Sequence, residues 1–253
     1  MIPEMDEPRS MRMKPEQLKK ELEMRKEVKK ILGKEKLFLE KGCVHWSKMS
    51  GKMYGKRSIG RPMTDRCESR HNIDGAICQK CYAARINQVY PSVGNALQRN
   101  RDLTIEDLHD DPTIFTSIDP TWRSNWNGDY QDEHDVRIDM ELCRMIDYAT
   151  CTTWTKNCDI VERMDSYRPK NYTVVQSSLM INQFEEEVSS STDQVFTVFT
   201  PEYAAENDIN INCIGACRLC GRCYGDNMRK RPRYINELLK GTEKKYFELL
   251  GML

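Results

Sequence analysis

The sequence predicts an α/β protein: a partial (β/α) barrel of mainly parallel strands with cysteine-rich loops, preceded by an amphipathic helix. Short runs rich in Val, Ile, Phe and Thr alternate with longer helical patterns, as βα units do. Cysteines gather in two places far apart in the chain. A charged stretch with helical periodicity stands at the amino end.

Residues 1–41 form a zone of their own. From Pro15 to Leu32 the apolar residues Leu18, Leu22, Met24, Val28, Ile31 and Leu32 fall on one half of a helical wheel, and Gly33 follows as a stop. Lysine and glutamate are mixed over the other half, which suits a helix docked on a protein better than one lying on a membrane. Residues 42–226 carry the main α/β domain. Strands are expected at Thr113–Ile118, Thr152–Thr155, Tyr172–Ser177, Val195–Thr200 and Ile209–Asn212. Helices are expected at Val136–Tyr148, where Ile138, Leu142, Met145 and Ile146 make an apolar face, and at Asp159–Met164. The body is too short for a roomy eight-fold barrel, so about six strands are expected. Ligands of such sheets bind beyond the carboxyl ends of the strands. Residues 227–253 read as a basic linker, with Arg229, Lys230, Arg231 and Arg233 beside Tyr234, and a closing helix from Ile235 to Leu250.

With 39 basic and 39 acidic residues, no global charge drives the chain onto nucleic acid; such a partner would need the local basic cluster. Acidic residues and prolines interrupt every apolar pair of MIPEMDEPRSMRMKPEQ, so it lacks a signal-peptide core. Nor does any apolar run reach the length that spans a bilayer. The chain therefore reads as cytoplasmic, in a host cytoplasm if it is viral, where thiols stay reduced and clustered cysteines bind metal more often than they pair.

The stretch CIGACRLCGRCYG places Cys213, Cys217, Cys220 and Cys223 within eleven residues. Zinc sites usually take two separated Cys-x2-Cys pairs. The compact run from Cys217 to Cys223 has instead the spacing of ferredoxin loops, where each thiolate reaches a different iron of a 4Fe–4S cluster. Cys213-x3-Cys217-x2-Cys220 also has the spacing of radical S-adenosylmethionine enzymes, and spacing alone leaves both open. Upstream, MTDRCESRHNIDGAICQKCYAAR holds Cys67, Cys78 and Cys81, with an Asp74-Gly75 turn that folds the segment back on itself. His71 would complete a Cys3His zinc site there. Cys43, Cys143, Cys151 and Cys158 stand in apolar or scattered surroundings and read as core.

The order WSKMSGK, CQKCYAA, WRSNWNGDY, TTWTKN, VVQSS and CIGACRLCGRCY resembles the phage "gene product 88" family, from about Trp46 to Tyr224. Its members look like relatives of radical S-adenosylmethionine proteins. The resemblance implies an iron–sulfur protein and names no substrate. The first cysteine group, Cys-x10-Cys-x2-Cys, departs from the usual radical-enzyme spacing.

Six other residues are candidates for holding a cofactor. Asp129, after Gly128 in a turn, suits a ribose hydroxyl or an ammonium. Arg123 suits a carboxylate or phosphate, or stacking on Trp122 or Trp126. Lys156 ends a strand and would point into the site, while Ser177 and Ser178 close the next strand and would either donate hydrogen bonds to a cofactor or cap a helix. The expectation is thus one or two 4Fe–4S clusters, with Cys67, Cys78 and Cys81 leaving an iron open to S-adenosylmethionine and Cys213, Cys217, Cys220 and Cys223 closing a second cluster. The second cysteine group is expected to follow the last strand. The competing expectation is a binding module stapled by zinc or iron–sulfur that meets nucleic acid through its basic tail.

Overall fold

A computed structural model describes residues 43–49, 53–54, 56–111, 114, 120–224 and 234–250. The amphipathic helix at Pro15–Leu32 and the basic cluster Arg229–Arg233 lie outside these residues. So does the strand expected at Thr113–Ile118, apart from Ile114, which is buried in the core.

Seven strands form one sheet in chain order: β1 (Ser47–Lys48), β2 (Arg57–Ser58), β3 (Thr121–Ser124), β4 (Thr150–Thr155), β5 (Tyr172–Ser177), β6 (Gln194–Phe199) and β7 (Tyr234–Leu238). β1 is antiparallel to β2, and the six strands from β2 to β7 are all parallel. Parallel neighbours need a crossover, and helices supply most of them. Asp65–His71, Tyr82–Val89, Pro91–Arg101 and Ile105–Asp110 lie between β2 and β3; Glu133–Met145, Cys158–Arg163 and Pro201–Glu206 serve later strands.

The strand at Tyr172–Ser177 has the bounds its composition predicts, because YTVVQS is β-branched and its first four residues are buried, as a central parallel strand requires. The helix Glu133–Met145 starts before the expected Val136. Asp132 caps it by accepting from the Asp135 N–H, and Glu133 and Asp135 add negative charge to its first turn. Its buried Val136, Ile138, Met140, Leu142 and Cys143 meet Cys151, Tyr172 and Val174 of the sheet in the larger core. Burying a Leu or Ile of this kind contributes about 1.5–3 kcal/mol. Trp46 and Trp122 close the core's β1 side edge-to-face at 5.4 Å. Cys143 and Cys151 are fully buried there, and burial pushes the Cys158 thiol up to about 12.

Two expectations near the carboxyl end give way. Ile209–Asn212 is irregular, not a strand: Ile209 is buried with Phe199 and Leu238, and the Asn212 side chain binds β7 in place of a ladder. Its Oδ1 accepts from Asn236 N at 3.0 Å and its Nδ2 donates to Tyr234 O at 2.9 Å. The helix expected at Ile235–Leu250 begins as β7, which pairs with β6 over Tyr234–Leu238, and is helical only at Glu243–Leu249. The second cysteine group therefore precedes the last strand.

Candidate functional site

The first cysteine group leaves β2 and crosses the carboxyl ends of β4 and β5. Cys67 lies in the helix Asp65–His71, whose Thr64 cap accepts from Cys67 N at 3.1 Å. Cys78 lies in the 3-10 turn Ile77–Lys80, and Cys81 begins the helix Tyr82–Val89. The Asp74-Gly75 turn docks on the chain just after β5: Ile77 N donates to Leu179 O at 2.9 Å and Ile181 N to Gly75 O at 3.1 Å. Burial pushes the Cys78 thiol up; Lys156 and Arg70 oppose that push, while Cys81 and Cys67 add to it.

Asp129 organises the rim beneath. It is 5 % exposed. Its Oδ1 accepts from Thr155 Oγ1 at 2.5 Å and Tyr130 N at 2.8 Å, and its Oδ2 from Lys156 N at 2.9 Å. Arg70 stands 3.6 Å away and donates to Asn157 Oδ1 at 2.6 Å and Lys156 O at 3.3 Å. Burial raises the Asp129 carboxyl above its usual range, against those hydrogen bonds and Arg70. With both oxygens engaged by the protein, Asp129 ties the end of β4 to the cysteine loop. Lys156 spends one of its three N–H donors on Ser177 Oγ, at 2.8 Å. Lys156 and Ser177 are both half-buried. Ser178 points to the opposite face, where its hydroxyl meets Thr197 at 2.9 Å and joins β5 to β6.

A buried ionic network carries this rim. Arg61, fully buried, reaches Asp135 at 3.0 Å and Asp139 at 2.7 Å from the helix Glu133–Met145. Burial alone would favour a neutral guanidine, but the two carboxylates outweigh it and hold the proton on. Asp139 also accepts from Tyr130 Oη at 2.6 Å, and that hydroxyl meets Tyr172 Oη at 2.5 Å. Gly128 locks the adjoining loop: its φ is +69°, and a Cβ there would lie 2.3 Å from Pro62 O and 2.4 Å from Arg61 O.

The second cysteine group builds a different place. Cys213, Cys217, Cys220 and Cys223 all line one open hollow with Ile214, Ala216, Arg222, Tyr224 and Ile235. The one-turn helix Cys217–Cys220 ends at Gly221, whose left-handed φ of +62° lets the chain reverse into the Arg222–Tyr224 turn. The segment is pinned to the sheet: Thr152 Oγ1 donates to Cys223 O at 2.6 Å, Gln194 Nε2 to Arg222 O at 3.2 Å, and Cys213 N to Asn236 O at 3.0 Å.

Among the described residues, no three of His, Cys, Asp and Glu converge closely enough to hold a single metal ion. A cubane cluster asks for a different layout, since each thiolate reaches a different iron. Four thiols that share a hollow lined largely by apolar groups fit that donor chemistry.

Of the other predicted residues, Gly128, Asp129, Lys156 and Ser177 gather at the rim. Arg123 lies within β3 and stacks on Trp154 at 4.2 Å, not on its neighbours Trp122 or Trp126. Its Nη1 approaches Met53 Sδ at 2.8 Å. Sequence reasoning missed Arg70, Asn157 and Arg61. Arg70 had a signal, because it follows Cys67 by three residues and so shares its helix face. Comparison with protein-family models, curated proteins and solved structures gives no match.

Proposed function

We propose that the chain is an iron–sulfur protein of the radical S-adenosylmethionine type, related to the phage gene product 88 family, acting in the cytoplasm on a small molecule. In this reading the six parallel strands curve into a partial barrel. Cys67, Cys78 and Cys81 hold one cluster at its carboxyl rim, and Cys213, Cys217, Cys220 and Cys223 hold a second. The observation that carries it is the gathering of Lys156, Arg70 and Ser177 where strands β4 and β5 end, against the segment that bears Cys67, Cys78 and Cys81, the place at which α/β sheets bind ligands.

Cys67, Cys78 and Cys81 would hold a cluster whose chemistry, when bound, would be one-electron reduction of S-adenosylmethionine with cleavage of a carbon–sulfur bond. The chain's own residues prepare for that. Lys156 and Arg70 place positive charge where the ligand's carboxylate would lie, and Ser177, held by Lys156, offers a hydroxyl. Asp129 fixes Lys156 and Arg70 by their backbone and side-chain bonds. The loop from Asp74 to Ile77 is held on Leu179–Ile181 by two backbone hydrogen bonds, which would fix one side of the site.

After anaerobic reconstitution, S-adenosylmethionine should perturb the electron paramagnetic resonance of the reduced protein, and strong reductant should release 5′-deoxyadenosine. Cys78→Ala should lose both effects and keep the other cluster's iron. A parent protein with neither effect contradicts the enzyme reading. The second reading, a metal-stapled binding module holding zinc or iron–sulfur, draws on the way Thr152, Gln194 and Asn236 pin the four-cysteine segment across three strands. It expects metal without any response to S-adenosylmethionine.

A further inference from the structure

We infer that the sheet binds a small organic anion with an apolar body, on the side that turns away from the helix Glu133–Met145 and toward the carboxyl ends of β4 to β7; this goes beyond the reading above and needs no metal. Cα partners on neighbouring parallel strands share a face, as do alternate residues along each strand. Trp154 pairs with Val175, Ser177 with Phe196, and Val198 with Glu237, so all of these belong to one side of the sheet. Lys156 joins them through its bond to Ser177 Oγ at 2.8 Å. The other side, where Cys151, Tyr172 and Val174 meet that helix, is buried as far as Thr155, Thr197, Phe199 and Leu238.

On the side away from the helix, burial changes along the strands. Near their amino ends Thr152, Gln194 and Ile235 are buried, and the four-cysteine segment lies over them: Thr152 binds Cys223 O, Gln194 binds Arg222 O, and Ile235 lines the hollow. Farther along, Trp154, Lys156, Ser177, Phe196, Val198 and Glu237 are only half-buried. Parallel sheets are ordinarily covered on both faces, so a floor left half-open toward the carboxyl ends, where α/β sheets bind ligands, suits a bound molecule. Trp154, Phe196 and Val198 make that floor apolar. From β4 to β6 it spans about 10 Å, at roughly 4.8 Å per strand. Lys156 and Ser177 give one edge of it positive charge and a hydroxyl, and Arg70 adds a second cation there, donating to Lys156 O at 3.3 Å. The Ser177 oxygen accepts from Lys156, so its own O–H can donate to an anionic oxygen. The arrangement selects one anionic group at the Lys156 edge and a flat apolar body across Phe196 and Val198.

Calorimetric titration of the full chain with 2-naphthoate, one carboxylate on a flat apolar body, tests the site. The neutral 2-naphthalenemethanol lacks the charge, and acetate lacks the body. Naphthoate should bind saturably and at least about tenfold more tightly than either control, the factor that a charged hydrogen bond supplies. Lys156→Met should remove the preference for naphthoate over the neutral alcohol. Val198→Asp, which sets a carboxylate on the floor, should weaken naphthoate by at least about tenfold, and both variants should melt near the parent. If Val198→Asp melts early, Val198→Asn decides by the same titration and should also bind naphthoate more weakly. Absent saturable binding in the parent, or parent-like binding in either folded variant, overturns the site. A chain that binds naphthoate but never responds to S-adenosylmethionine keeps this site and overturns the enzyme reading; a chain that responds to S-adenosylmethionine without binding naphthoate does the reverse.

Discussion

The two cysteine groups share one sheet and are held by opposite means. At the rim, charge does the holding: Arg70 spans from the helix of Cys67 to Asp129 and Asn157, Lys156 reaches Ser177, and the buried Arg61 with Asp135 and Asp139 supports the floor. In the hollow, shape does it: backbone carbonyls are pinned by Thr152 and Gln194, and Tyr224 packs on Trp154. A place that takes in a charged molecule needs cations within reach of solvent. One that only staples the fold needs thiols and a surface to fold against. The difference teaches that two cysteine-rich segments of one chain can be held in unlike ways, and that the residues around the sulfurs tell them apart.

The sharpest way to break the comparison is at the glycines. Gly128→Ala should destabilise by about 4 kcal/mol or more, since the new Cβ strikes two backbone carbonyls at a positive φ. Gly221→Ala, at the turn in the four-cysteine segment, should cost only the roughly 1–2 kcal/mol of a left-handed alanine. Urea unfolding of both variants checks this, and equal losses would contradict it. Next in size, Arg61→Met leaves Asp135 and Asp139 buried without their main cation, at a cost of about 3–5 kcal/mol. A loss below about 1 kcal/mol in thermal and urea unfolding would show that the rim does not depend on this network.

Lys156→Met separates binding from folding. It should leave stability within about 1 kcal/mol of the parent, because Lys156 is half-buried and its removal strands only a hydroxyl. It should weaken S-adenosylmethionine binding, read by titration of the resonance signal, by roughly tenfold or more, as loss of a charged hydrogen bond does. Unchanged binding would move the ligand away from this rim.

The smallest effect belongs to neither group. Burial, helped by Arg99, holds His45 below the ordinary imidazole value of 6.5, so the folded protein keeps it neutral while the unfolded chain takes a proton. Its contribution to stability is present above that pH and is lost as pH falls through the folded value. His45→Gln should flatten the acid side of the stability curve; an identical slope in variant and parent would contradict this.

Local chemistry made some of this legible in the sequence and long-range contact hid the rest. Cys67, Cys78, Cys81 and the run from Cys213 to Cys223 stand out by spacing alone, and Tyr172–Ser177 by its β-branched residues. β7 escaped because Tyr234-Ile-Asn-Glu-Leu runs into a helical stretch, and only the open edge of β6 draws it into the sheet. Arg61 was illegible for another reason: its partners lie 74 and 78 residues away, and nothing near it in the chain announces an arginine with no exposure. Asp129 was found as a turn carboxylate, but its use as a tie for β4 depends on Thr155 and Lys156, which only the fold brings near.

Metal analysis of anaerobically purified protein tests the division between the two groups most directly. The parent should be brown and hold iron and acid-labile sulfide in equal amounts. Cys78→Ala and Cys220→Ala should each lose about half of that iron. Cys220→Ala should also melt earlier, because the binding energy of a structural metal is folding energy. Colourless protein with stoichiometric zinc, or parent-like iron in both variants, would contradict two separate iron–sulfur centres.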